Sequence, residues 1–199
     1  MKRVLTPSGV NGRQRKETEV AKKNTTIMIA PDIERSLTRM ALQMMEDNRG
    51  IKKLALIGIH TGGVFLADRL RKIIKEHEGL ELPVGYLDIT LYRDDWSLVS
   101  QNHIVKKTEI LFSVEEYTLI MVDDVLYTGR TIRAALDAIM DLGRPRFIQL
   151  AVLINRQCGR ELPIQPNYWG LDVHENLTDH VHVILQEKGG RDEVVLESD

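Results

Sequence analysis

The stretch "LIMVDDVLYTGRTI", residues 119–132, decides the fold. An apolar run ends in two adjacent carboxylates, Asp123 and Asp124, and then passes through a short spacer into Thr-Gly-Arg-Thr. A continuous apolar run bounded this way reads as a strand buried on both faces. The residues that follow, "RTIRAALDAIMDLG" (130–143), read as a helix that stops at Gly143. In open sheets built from such strand–turn–helix units, ligands bind outside the carboxyl ends of the strands.

The turn has the chemistry of a phosphate site. A helix starting near Thr128–Arg130 points unpaired N–H groups and the positive end of its dipole outward. Gly129 lets backbone approach an anion closely, and Thr128 and Thr131 can add hydroxyl donors. Carboxylates repel phosphate but suit vicinal hydroxyls, so Asp123 and Asp124 match a sugar. One short segment can thus hold both halves of a ribose 5-phosphate. The plainer reading gives Thr128 a capping role and makes the acids metal ligands or surface groups.

Working outward, "KKLALIGI" (52–59) reads as a second buried strand, followed by the turn "HTGG" and the helix "VFLADRLRKIIKEH" (64–77). Pro31 and Gly50 bracket an earlier helix with Ile33, Leu37, Met40 and Met44 on one face. "LPVGYLDITLYRDD" (82–95) reads as a strand by its alternation of Leu87, Ile89 and Leu91 with polar neighbours. Residues 93–109 read as a long surface loop. "RPRFIQLAVLINR" (144–156) and "HVHVIL" (180–185) supply further strands. This order predicts an α/β fold with a mostly parallel central sheet flanked by helices.

Bulk properties fit one domain: 199 residues, 43% hydrophobic, 28% charged, net charge −2. Charge is uneven along the chain. Residues 1–23 hold seven Lys/Arg against two Glu, a net of +5, and the last thirteen hold five acids against two bases, a net of −3. The expected organisation is a flexible basic extension (1–25), a domain (26–185) and an acidic tail (186–199). Cys158 is the single cysteine, which excludes an internal disulfide and suits a reducing compartment. No apolar run approaches the ~20 residues a membrane helix needs, and no secretion signal is visible, so a cytoplasmic location is expected. His180 and His182 share a strand face, but no ligand set completes a metal site around them.

"LIMVDDVLYTGRT" resembles the PRPP-binding motif of type I phosphoribosyltransferases. "DITLYRDD", "VDDVLYTGRTIRAALDAIMDLGRP" and "IQLAVLINR…GRELPI" are similar to the PyrR family of pyrimidine-operon regulators, which have uracil phosphoribosyltransferase activity. The likeness spans residues 28–185. It implies the type I phosphoribosyltransferase fold with a small C-terminal hood around residues 155–180, and synthesis of UMP and pyrophosphate from uracil and PRPP. Asp123 and Asp124 would bind the ribose, and Tyr127, Thr128, Gly129, Arg130 and Thr131 the 5-phosphate. His60, Thr61, Gly62 and Gly63 would form the pyrophosphate loop, which in this fold often carries a non-proline cis peptide.

Tyr92 and Arg93 belong to the flexible loop that the resemblance places over the pyrophosphate, and Arg156 and Arg160 to the hood over the base. Tyr168 and Trp169 could stack there or pack the hood. Mg²⁺ is expected, bound through PRPP or pyrophosphate with no direct protein ligand. A dimer or larger homo-oligomer is also implied.

Two departures stand out. Gly62 replaces an Arg common in PyrR sequences, so backbone amides, His60 or another basic residue must compensate. Leu42 and Asp47 replace His and Arg of the RNA-regulating members, in the helix where Thr38 and Arg39 match the RNA-contact pattern. Losing a base and gaining an acid weakens attraction to an mRNA leader. Catalysis therefore ranks above the alternative, a UMP-sensing RNA-binding attenuation regulator. A catalytically silent binder rests on Gly62 alone.

Overall fold

The computed structural model describes residues 23–94, 107–174 and 176–198. Most of the expected basic extension and of the loop at 93–109 lies outside the described residues. The elements run β1 (Lys23–Ile29), α1 (Ala30–Asp47), β2 (Leu54–Ile59), α2 (Gly62–Glu78), β3 (Val84–Leu87), β4 (Thr118–Leu126), α3 (Arg130–Leu142), β5 (Phe147–Arg156), β6 (Tyr168–Val173), β7 (His180–Ile184) and β8 (Glu193–Ser198). Short 3-10 turns occupy Thr90–Tyr92 and Gln186–Lys188.

Five strands form one sheet in the order β3-β2-β4-β5-β6, and every pairing in it is parallel. All six residues of β2 are buried, as are the first six of β4. Such strands must be covered on both faces. Leu54 and Leu56 pack with Leu37 and Met40 of α1 and Leu66 and Leu70 of α2. The alternate residues Ala55, Ile57 and Ile59 pack with Ile132, Ala135 and Ile139 of α3. The three helices thus divide between the two faces because strand side chains alternate.

A three-stranded antiparallel sheet, β1-β8-β7, stands beside the first. Its middle strand comes from the stretch expected to be an acidic tail. Glu193–Ser198 pairs with β1 from Ile29 to Lys23 and with β7 from Ile184 to His180, and Val194 is fully buried. Residues 193–198 of that stretch are therefore sheet, paired to the strand that starts at Lys23. The strand expected over 82–95 is shorter. Asp88 Oδ1 accepts the Thr90 N–H at 2.9 Å, and this Asx turn converts the chain to a 3-10 turn before Leu91. Tyr168 and Trp169 belong to β6 rather than to a hood. Tyr168 is buried beneath α1, its hydroxyl accepting from Asn48 Nδ2 at 3.0 Å, and the Trp169 indole donates to Asp172 at 3.0 Å.

Candidate active site

The strand order reverses between β2 and β4. From β2 the chain passes through α2 to β3 on one side, then returns to place β4 on the other. This is a topological switch point, where loops at the carboxyl ends of neighbouring strands diverge and leave a crevice. Gly58 stands opposite Val122 in the register. The turn His60–Gly63 and the acids Asp123 and Asp124 therefore share the rim of that crevice.

The His60–Thr61 peptide bond is cis. The two glycines that follow are required by close approach. A Cβ on Gly63 would lie 2.1 Å from the Val122 carbonyl oxygen, a backbone atom that cannot swing away. A Cβ on Gly62 would lie 1.9 Å from Oδ2 of Asp124, so the carboxyl group of Asp124 occupies the space a side chain at 62 would need. Gly63→Ala is expected to destabilise the protein by about 1–3 kcal/mol, the usual range for overpacking. Urea unfolding measures this directly, and a change below about 0.5 kcal/mol would contradict the contact.

Asp123 is buried and Asp124 half-buried. Asp123 Oδ1 accepts the Asp124 N–H at 3.0 Å, and Asp124 Oδ1 accepts the Val125 N–H at 2.9 Å. Burial, and then the charge of Asp124, push Asp123 well above the ordinary carboxylate range. Burial raises Asp124 as well, opposed chiefly by the positive charge of Lys188. The first turn of α2 lies against Asp124 and favours its ionised form through the helix dipole.

The turn after β4 bends at Gly129. Gly129 takes φ 93° as the N-cap of α3, and the Arg130 N–H donates to Thr128 Oγ1 at 3.3 Å. A cavity of about 160 Å³ opens here, lined by Arg93, Asp94, Thr128, Arg130 and Thr131. The Arg130 side chain turns aside to Glu161 at 2.6 Å and Asp94 at 2.5 Å. Tyr92 donates its hydroxyl to Asp141 of α3 at 2.7 Å, which makes it a support of the loop.

The two hood arginines are invested in architecture. Arg156 is buried, lies 3.8 Å from the Tyr127 ring centroid and donates to the Asp179 carbonyl at 2.9 Å. Arg160 donates to the Tyr127 carbonyl and, at 2.8 Å, to Asn155 Oδ1. The Thr128 carbonyl accepts from the Glu161 and Leu162 amides at 3.0 and 3.1 Å. Together these contacts tie the segment after β5 to the turn after β4.

Thr38 and Arg39 lie on α1, away from the crevice. Thr38 Oγ1 donates to the Glu34 carbonyl, and the Arg39 guanidinium donates to the carbonyls of Trp169 and Gly170 at 2.9 and 2.7 Å. A larger groove, about 830 Å³, runs between α1 and α2 and is also remote from the acids. Among the described residues no cluster of three or more His, Cys, Asp or Glu could hold a metal ion. His182 instead meets Glu197 at 3.1 Å across the minor sheet.

Two residues escaped the sequence reading. Arg69 of α2 donates to both oxygens of Glu187 (2.8 and 2.6 Å) and both of Asp192 (2.8 and 2.8 Å). This clamps the Gln186–Lys188 turn to α2, and the positive charge of Lys188, on the same turn, favours the ionised forms of Asp123 and Asp124. No local pattern signals it, because the partners lie more than a hundred positions away.

A phosphoribosyl transferase domain matches residues 23–187. The chain is 51% identical over 177 residues to the bifunctional protein PyrR of Pelotomaculum thermopropionicum, covering 89% of this chain and 97% of that protein. It is 49% identical over 170 residues to the bifunctional protein PyrR of Thermus thermophilus, covering 85% and 93%. Among solved structures, a hypoxanthine-guanine phosphoribosyltransferase of Bacillus anthracis superposes with a TM-score of 0.60 at 16% identity, covering 76% and 83%. A hypoxanthine phosphoribosyltransferase of Trypanosoma cruzi gives 0.61 at 17%, covering 74% and 80%. These structural likenesses concern the fold.

Proposed function

The chain belongs to the phosphoribosyltransferase family and within it to the PyrR proteins, and from that premise we propose that it transfers the ribosyl 5-phosphate of PRPP to uracil, releasing pyrophosphate and UMP. The observation that carries this reading is the pairing, at one switch point, of a sugar-binding acid pair with a phosphate cradle that begins four residues further on. Thr128, Thr131 and the amides at the start of α3 hold the 5-phosphate. Asp123 and Asp124 take the ribose hydroxyls and fix the ring, which holds the anomeric carbon over the crevice.

The amides of residues 60–63 face the departing pyrophosphate, with Arg93 approaching from the loop after β3. Two adjacent carboxyl groups are too few donors to cage a metal, but they suit Mg²⁺ that arrives on PRPP and keeps its waters. When bound, Mg²⁺ supplies charge neutralisation for the leaving group. Arg156 and Arg160 position the segment over the base by gripping Tyr127. The chain works as a homo-oligomer in the cytoplasm.

Steady-state UMP formation from uracil, PRPP and Mg²⁺ tests this, with hypoxanthine, guanine and orotate as competitors. Uracil-specific turnover is expected. UMP binding without turnover on any base would overturn the catalytic reading.

The name of the relatives, a bifunctional protein, favours a second role in binding an mRNA leader. Thr38 and Arg39 would carry it on α1. Arg39 already spends its guanidinium on two carbonyls of β6, and Leu42 and Asp47 add no positive charge.

A further inference from the structure

Three glycines let the first turn of α2 lie against the strands beneath it, and they are not equivalent. A Cβ on Gly58 would lie 2.7 Å from the Val64 α-carbon and 2.9 Å from the Gly63 carbonyl oxygen, and one on Gly63 would meet the Val122 carbonyl. Both positions are blocked by backbone. Gly62 differs, because the three atoms nearest its absent Cβ all belong to the Asp124 side chain: Oδ2 at 1.9 Å, Cγ at 2.5 Å and Cβ at 2.9 Å. Gly62 does not take a positive φ, so the conformation of the turn does not call for glycine there, and only the carboxyl group does. The other oxygen of that group, Oδ1, accepts the Val125 N–H at 2.9 Å. The Asp124 carboxyl is thus held from two sides, by a backbone amide of its own strand and by the bare α-carbon at the start of α2.

We infer that Gly62 is a positioning residue for Asp124: its bare α-carbon is the seat that fixes how the carboxyl group meets the ribose. This rests on the ribose role proposed above for Asp124, and it gives a residue of the pyrophosphate turn a task on the other half of the substrate. A side chain at 62 would turn Asp124 about its own side-chain bonds and leave the peptide backbone where it is. Hydrogen bonds weaken steeply with misalignment, so an acid turned off its seat grips vicinal hydroxyls poorly. UMP isolates the effect, since it carries the ribose and the 5-phosphate but no pyrophosphate.

The test is calorimetric titration of UMP into wild type, Gly62→Ala, Asp124→Ala and the double variant, with turnover of uracil and PRPP measured on wild type. Gly62→Ala is expected to weaken UMP binding about 10-fold, the worth of one hydrogen bond to a charged group, and Asp124→Ala by at least as much. With Asp124→Ala in place, Gly62→Ala should cost no more than about 2-fold, because no carboxyl group is left to displace. Unchanged UMP affinity in Gly62→Ala overturns the inference. So does an undiminished loss in the double variant, which would mean that residue 62 acts through another group. If Gly62→Ala does not fold, its rescue by Asp124→Ala supports the seat, and a double variant that also fails to fold overturns it. If wild type binds UMP in a Gly62-dependent way but makes none, the inference stands and the proposed reaction falls. If wild type does not bind UMP, both fall.

Discussion

Replacing Asp123 and Asp124 together with Asn is expected to lower UMP formation about 100-fold or more while raising the thermal midpoint at neutral pH. The two effects share one cause. Asn keeps the shape of Asp but exchanges an acceptor oxygen for a donor, so the ribose hydroxyls lose charged partners worth about 1.5–3 kcal/mol each. The protein, by contrast, is relieved of two neighbouring acids that burial holds above the ordinary value of 3.8. An acid raised in the folded state costs stability as pH climbs through its folded value, because the unfolded chain ionises it freely.

The stability difference between variant and wild type should therefore vanish below about pH 3.8 and grow above it. A gain of about 1 kcal/mol would raise the midpoint by about 2–4 °C in a domain of this size. Turnover within a few-fold of wild type would remove the acids from the site. A midpoint that falls at pH 7 would show that Lys188 and the dipole of α2 already compensate the pair.

Arg69→Met is the second large effect, and it runs in the other direction. Arg69, Glu187 and Asp192 are mostly shielded from solvent, with side-chain exposures of 18%, 30% and 13%. Removing the guanidinium strands two acids beside α2, a loss of about 3 kcal/mol for a pair broken from one side. The hydrogen bonds of Arg69 hold Glu187 and Asp192 below their ordinary values of 4.5 and 3.8. Their stabilising share is complete above those values and is lost as pH falls through the lowered folded ones. Unfolding in urea should show the full gap at pH 7 and a smaller one at pH 3. A gap that does not change with pH would mean that Arg69 acts by packing its stem alone.

The parts of the fold legible in the sequence are those whose evidence is local. β2, β4 and β5 announce themselves as continuous apolar runs, and α1 to α3 by spacing such as Ile33, Leu37, Met40 and Met44. The cradle at Thr128–Thr131 and the turn at His60–Gly63 are equally local. β1, β6 and β8 are not. β8 is short and has an acid at two of its six positions, β6 contains Gly170 and follows Pro166, and β1 and β8 are held by each other across most of the chain. Register with those partners, and not propensity, makes them strands. The hood arginines illustrate the same divide. Their place in the segment after the fourth apolar run is readable, but their engagement with Tyr127 and the Asp179 carbonyl depends on how β4 and β5 lie side by side.

The pairing of β1 with β8 sets an order of events during synthesis. Lys23 leaves the ribosome about 175 residues ahead of Ser198, its partner in the ladder. The five-stranded sheet, built from Leu54 to Val173, can close before that. Throughout the interval β1 lacks a paired strand, since among the described residues β8 is its one partner in the minor sheet, and its backbone remains open to any strand that comes near. The nascent protein is most exposed to misassembly in the interval before β8 emerges, while β1 waits for it.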